Sequence, residues 1–168
     1  MRKVKFTTTL GEIVIELDDE KAPISTQNMI EYIEAEHYNG LLFHRVIDGF
    51  MVQGGGYDNE LTKRQARDPI ENEAKNGLKN VKGSVAMART PEIGSATSQF
   101  FINVVDNPFL DHKDETPEGY GYAVIGKVVE GMETVDKIRE AKTGAKGPFS
   151  KDCPLEDIVI EKAEVVED

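Results

Sequence analysis

The sequence predicts a mainly β domain, a closed or nearly closed barrel with two helices as plugs. Three observations lead there. Short apolar runs punctuated by Gly recur along most of the 168-residue chain, the pattern of many short strands joined by turns. Only two segments, far apart, carry the apolar spacing of a helix. The length is also sufficient for one core: a chain of this size buries roughly 70% of its unfolded surface without needing disulfides or a structural metal. One domain over residues 1–168 is expected.

The elements follow in order. Val4 and Phe6, then Ile13, Ile15 and Leu17, alternate with polar residues around Gly11 and predict a hairpin over Val4–Leu17. Pro23, Ser25 and Thr26 open a helix whose apolar face is Met29, Ile30 and Ile33, with Gly40 as its stop. Leu42–Ile47, Phe50–Gln53, Ser84–Ala88 and Phe100–Val105 read as buried strands. Tyr57–Lys82 is polar with weak periodicity and reads mostly as loop, as does the insertion Asp111–Gly121. Tyr122–Val129 is a further strand. Glu133–Ala141 is a helix presenting Val135 and Ile138, with Gly144 as terminator. Ile158, Ile160, Ala163 and Val165 alternate as a closing strand.

Composition narrows the function. With 20 Lys+Arg against 31 Asp+Glu the net charge is −11, which repels phosphate backbones and anionic lipid, so neither nucleic acid nor membrane is an expected partner. The acidity lies in the flanks, since residues 43–110 hold 8 basic and 8 acidic side chains. Cys153 is the only cysteine, so no intrachain disulfide forms. No run reaches the ~20 apolar residues of a membrane span, and Glu12 and Glu16 interrupt any leader-like stretch after Arg2, Lys3 and Lys5. A cytoplasmic protein is expected.

Several chemistries lack support. His37, His44 and His112 have no i, i+4 partner, so no metal or other cofactor is expected. Gly54, Gly55 and Gly56 lack the Lys-Ser or Lys-Thr of a phosphate loop, and close backbone approach or a bulge explains them better. Ser95 and Ser98 sit in no nucleophile elbow. The pair Glu71 and Glu73 could serve a carboxylate hydrolase, but nothing singles it out among so many acids.

The informative stretch runs from Phe43 to Gly55, with His44-Arg45-Val46-Ile47 and Phe50-Met51-Val52-Gln53 inside it. A cation among apolar residues either finds a carboxylate, carbonyl or ligand, or lays its stem on the core edge with its head in water. The residues alone leave both open for Arg45. Gln53 and Gln99 lie beside Gly or aromatic residues, where their amides require partners.

This stretch, Gly83-Ser84-Val85-Ala86-Met87-Ala88-Arg89, Ser98-Gln99-Phe100-Phe101-Ile102 and Asn107-Pro108-Phe109-Leu110 together resemble the cyclophilins, a family of peptidyl-prolyl cis-trans isomerases. The likeness covers nearly the whole chain and is greatest to the cytoplasmic bacterial type. It implies a closed eight-stranded antiparallel β barrel capped by two α helices. It also implies that Arg45 is the catalytic arginine and that Phe50, Met51, Phe101 and Leu110 form the pocket for a proline ring. Gln53 and Gln99 then hold Arg45 and the substrate backbone, while Ala88 and Arg89 match the strand that pairs with the residue before proline. Three positions depart from the family: Arg89 stands where Asn is frequent, Phe109 where many eukaryotic members carry Trp, and Tyr122 where many carry His. The aromatic wall survives, so activity is expected to persist and cyclosporin binding to be weakened. Expected partners are proline-containing peptides and unfolded or flexible protein segments, met by a monomer that assists folding. The alternative is a non-catalytic module or chaperone gripping Pro-containing segments.

Overall fold

The alternating apolar runs do become strands. In the computed structural model, which describes residues 1–166, the order is β1 (Arg2–Thr8), β2 (Gly11–Leu17), α1 (Pro23–Glu34), β3 (Arg45–Ile47), β4 (Met51–Gly54), β5 (Ser84–Met87), β6 (Phe100–Asn103), β7 (Val124–Glu130), α2 (Met132–Arg139), β8 (Thr143–Lys146), β9 (Phe149–Pro154) and β10 (Ile160–Val166). The last two residues of the expected 1–168 span lie outside the described residues.

Eight strands form one antiparallel sheet in the order β10-β1-β2-β7-β5-β6-β4-β3. Period two decides its faces. Val4 pairs with Ile15 and Phe6 with Ile13; these side chains join Val52, Val85, Met87, Phe100, Ile102 and Ile125 in the enclosed core. Phe6, Tyr38 and Phe100 pack there with ring centroids 5.1–5.6 Å apart.

The expected closed barrel is a curled sheet with a seam. β10 and β3 are its two edges and do not pair as strands. The gap is bridged by the segment before β3: Gly40 N–H donates to the Ile160 carbonyl at 2.7 Å, Phe43 N–H to Ile158 at 2.9 Å, and Ile160 N–H to Leu41 at 2.8 Å. These bonds leave Leu42 and Val159 as an isolated bridge.

α1 closes one end, burying Met29, Ile30, Tyr32 and Ile33. Its cap is not local. The Glu73 carboxylate, from the long loop, accepts the Ile24 N–H at 3.2 Å and both the Ser25 N–H and hydroxyl at 2.7 Å, supplying the anion that a helix N-terminus favours. The helix stops at Glu34, well before Gly40, with Glu36 in the left-handed region at φ 58°. α2 buries Val135 and Ile138 at the other end.

One expectation was too coarse. Gly144 does not simply terminate a helix; it lies in β8, which pairs with β9 as a separate hairpin. That hairpin was illegible because β8 alternates between exposed and half-buried residues and β9 buries only Cys153 and Pro154, which leaves little apolar signal. The segment 57–82 is mostly loop, as expected, with one short 3-10 turn at Ala74–Asn76. At Gly54 and Gly55 the close approach is real: a Cβ would lie 2.8 Å from the Leu42 carbonyl oxygen and 2.9 Å from the Tyr38 ring, respectively.

Candidate active site

If Val52, Phe100, Ile102, Val85 and Met87 face the core, their neighbours face outward, and this parity builds the site. Arg45 pairs with Gln53, Gln53 with Phe101, Phe101 with Ala86, and Ala86 with Val124. One row of outward side chains therefore crosses five strands, beginning at Arg45. Met51, Ala86, Phe101, Leu110 and Val124 form a second hydrophobic cluster, separate from the enclosed core, with Phe50, Ala88 and Tyr122 packed against it.

A cleft of about 420 Å³ opens over this cluster. Arg45, Phe50, Met51, Gln53, Ala88, Arg89, Phe101, Phe109, Leu110 and Tyr122 all line it, so ten of the eleven expected site residues come together. Gln99 stands behind: its Oε1 accepts from Gln53 Nε2 at 3.0 Å. The Gln53 Oε1 in turn accepts from Arg45 Nη1 at 3.4 Å. Arg45 is exposed; among the described residues its guanidinium bonds the Gln53 amide oxygen and pairs with no carboxylate, so its remaining donors stand open at the cleft.

The floor is apolar and the rim aromatic. Met51 and Phe101 are almost fully buried, whereas Phe109 is 58% exposed and stacks on Phe50 with centroids 5.7 Å apart at 24°. Tyr122 meets Phe101 edge-on at 5.7 Å. Phe109 and Leu110 ride on a 3-10 turn, Pro108–Leu110, which a buried amide network holds down. Asn107 Nδ2 donates to Asn103 Oδ1 at 2.8 Å and to the Phe50 carbonyl at 3.0 Å; Asn103 Nδ2 donates to Asn80 at 3.0 Å and to Ser84 at 2.9 Å. The sequence reading missed these three asparagines, although Asn103 closing the apolar run Phe100–Ile102 was a signal, since a buried amide needs partners.

Arg89 is not a free binding group. Its guanidinium donates to the carbonyls of Gly121 (2.9 Å), Thr90 (2.9 Å) and Pro117 (2.7 Å), with longer bonds to Pro91 and Glu92, and lies 4.9 Å from the Tyr122 ring centroid. Glu118, also missed, completes the lining. The hydrolase pair is dispersed: Glu73 caps α1 while Glu71 is exposed, and neither lines the cleft. Among the described residues no three His, Cys, Asp or Glu side chains gather as a metal site. No helix among them is long and apolar enough to cross a membrane.

Next to Arg45, His44 is buried between Tyr57 and Phe149, with ring centroids 4.6 and 5.3 Å away and its Nδ1 without a hydrogen-bond partner among the described residues. Burial, aided by the neighbouring Arg45 charge, pushes its pKa down to about 4.

Residues 3–165 match the family described as cyclophilin type peptidyl-prolyl cis-trans isomerase/CLD. The chain is 50% identical over 163 residues to peptidyl-prolyl cis-trans isomerase A of Dickeya dadantii, covering 97% of this chain and 84% of that one. It is 49% identical over 164 residues to peptidyl-prolyl cis-trans isomerase B of Escherichia coli, covering 98% and 99%. A crystal structure of a Cryptosporidium parvum cyclophilin type isomerase, obtained in the presence of the dipeptide Ala-Pro, has the same fold, with a TM-score of 0.76 at 22% identity over 99% of both chains. The chain therefore belongs to the cyclophilin-type peptidyl-prolyl cis-trans isomerases. It is an isomerase that accelerates rotation about X-Pro peptide bonds.

Proposed function

We propose that the cleft is the site of that isomerisation and that Arg45 is its catalytic residue. The bond before proline resists rotation because resonance gives it double-bond character, with a barrier of ~18–20 kcal/mol. Uncatalysed exchange takes on the order of tens to hundreds of seconds. No bond is broken, so neither nucleophile nor cofactor is required. In the twisted transition state the proline nitrogen regains a lone pair and becomes a hydrogen-bond acceptor. A guanidinium aimed at that nitrogen stabilises the twisted form more than either planar one, which is catalysis by differential binding.

The observation that carries this reading is the row from Arg45 through Gln53 to Phe101. It sets a cation at the lip of an apolar floor, so a proline ring resting on Met51, Phe101 and Leu110 brings its nitrogen within reach of Arg45. Gln53, steadied by Gln99, orients the guanidinium. Ala88 and Arg89 offer backbone to the residue preceding proline, and Phe50, Phe109 and Tyr122 wall the ring. Proline-containing peptides and flexible or unfolded chain segments are the proposed partners, which supports a role in assisting folding. The Ala-Pro dipeptide named with the Cryptosporidium parvum structure is in keeping with this. With Phe109 and Tyr122 as the aromatic wall, cyclosporin-type inhibitors are expected to bind weakly. A monomeric, cytoplasmic protein built as one domain over residues 1–168, without nucleic-acid or membrane partners, completes the proposal; the acid excess and the single, buried Cys153 support it.

The test is X-Pro peptide exchange by the parent and by Arg45→Ala. Removing a donor aimed at a transition state lowers turnover on the order of 10²–10³-fold. Equal acceleration by both proteins overturns the role given to Arg45.

A further inference from the structure

The cleft holds one carboxylate, and the loop that bears it is unusually well tied. The segment Asp111–Gly121 carries four acids. Three are occupied within the protein: Asp111 accepts from Asn80 N–H at 2.7 Å, Asp114 accepts from Thr116 N–H at 3.0 Å, and Glu115 pairs with Lys75. Glu118 has no ion pair or hydrogen bond among the described residues, and it is the one acid of the four that lines the cleft. Arg89 fixes the backbone on either side of it, bonding the carbonyls of Pro117 at 2.7 Å and Gly121 at 2.9 Å. The same guanidinium binds the Thr90 carbonyl, so two loops are clamped together at the rim. Its bonds go to carbonyl oxygens, which leaves the Glu118 carboxylate to the cleft.

We infer that Glu118 determines substrate charge preference, favouring peptides with a Lys or Arg within two positions before the proline, and that Arg89 is the positioning residue that presents it. The inference rests on the proposed cleft, in which Ala88 and Arg89 run beside the residues preceding proline. The cleft then carries a free cation at its β3 side, Arg45, and a free anion on the clamped loop. A cationic side chain before proline finds a partner in Glu118, whereas an acidic one meets repulsion there. Because Glu118 is exposed, the contact acts as a rim ion pair, modest in strength and weakened by salt.

The experiment compares kcat/KM for matched tetrapeptides bearing Lys, Gln or Glu two residues before proline, and a second set varied one residue before it. At low ionic strength the parent is expected to prefer Lys over Glu by about two- to fivefold in one of the sets, the scale of a rim ion pair, with the preference fading as salt rises. Glu118→Gln brings the ratio to about one, and Glu118→Lys inverts it. Arg89→Lys, which cannot bridge both loops with one ammonium, shrinks the ratio; a purely structural role would lower all rates together and leave it unchanged. A parent ratio of one in both sets, or full preference in Glu118→Gln, overturns the inference. Arg45→Ala separates the two failures: if it abolishes exchange while the parent ratio is one, only the charge preference is wrong. If it changes nothing, the role given to Arg45 is wrong, and the charge preference then stands or falls on the Glu118 variants alone.

Discussion

Gln99 reaches the cleft only through Gln53: its side-chain oxygen accepts the Gln53 amide at 3.0 Å, and the Gln53 oxygen in turn accepts from Arg45. Gly56 makes room for this arrangement, since a Cβ there would lie 2.5–2.6 Å from the Gln99 side chain. The direction of each amide follows from its neighbour. A guanidinium can only donate, so Gln53 must turn its oxygen toward Arg45 and its NH₂ toward Gln99.

This chain predicts a split in kinetic constants. Gln99→Ala leaves Gln53 free to rotate, and loss of one orienting hydrogen bond of about 1 kcal/mol is expected to lower kcat about three- to tenfold with little change in KM. Gln99→Glu keeps an oxygen acceptor for Gln53 and should restore most of the loss. Single-turnover exchange on an X-Pro peptide measures both; a raised KM with kcat intact would contradict the relay.

The asparagine network predicts a stability effect that reaches the site. Asn103→Ala strands the side-chain oxygen of Asn80 and removes one of the two acceptors of the Asn107 NH₂, and a buried polar group left unpaired costs about 1–3 kcal/mol. Urea unfolding should report that loss. KM should rise as well, because the same bonds hold the Pro108–Leu110 turn. An unchanged midpoint would show the network to be dispensable.

His44 predicts an acid-side weakness. Its folded pKa is pushed down to about 4 from an ordinary 6.5, so the unfolded chain binds the proton more readily than the folded one. The neutral ring's contribution is therefore complete above about pH 6.5 and is lost as pH falls toward 4, a difference of roughly 3 kcal/mol. Burial lowers the pKa of His37 too and adds in the same direction. The rings facing His44 are Tyr57 and Phe149, and the charge beside it is Arg45. Denaturation midpoints followed from pH 7 to pH 4 should fall in the parent and fall distinctly less in His44→Phe; equal slopes would remove His44 as the cause.

Much of the site was legible because its residues sit in short motifs that resemble the cyclophilin pattern, and strand parity explains how the fold brings those motifs together. Phe101 lies directly between core-facing Phe100 and Ile102, and Gln53 directly after core-facing Val52, so the pleat turns both outward, and the motifs containing them are contiguous in sequence. The parts that escaped depend on contacts between distant segments. Nothing near Pro23 announces that Glu73 caps α1, and nothing in the polar run Asp111–Gly121 separates Glu118 from the acids engaged by Asn80, Thr116 and Lys75. Arg89 reads as a substrate contact in sequence, yet its head is turned to loop carbonyls. The β8–β9 hairpin escaped for a different reason: its side chains bury too little apolar surface to leave a period.

The seam between β3 and β10 has a consequence for the order of assembly. β1 lies between β2 and β10, so one flank of β1 stays unpaired until β10 has been synthesised. Pairings such as Phe6 with Ala163 span almost the whole chain, and contacts of such separation slow folding. A ribosome-bound chain lacking β10 would expose a bare strand edge and an open core, the kind of surface that invites wrong partners. An enzyme that speeds one slow step of chain rearrangement, rotation about X-Pro bonds, thus has its own sheet completed late, by β10.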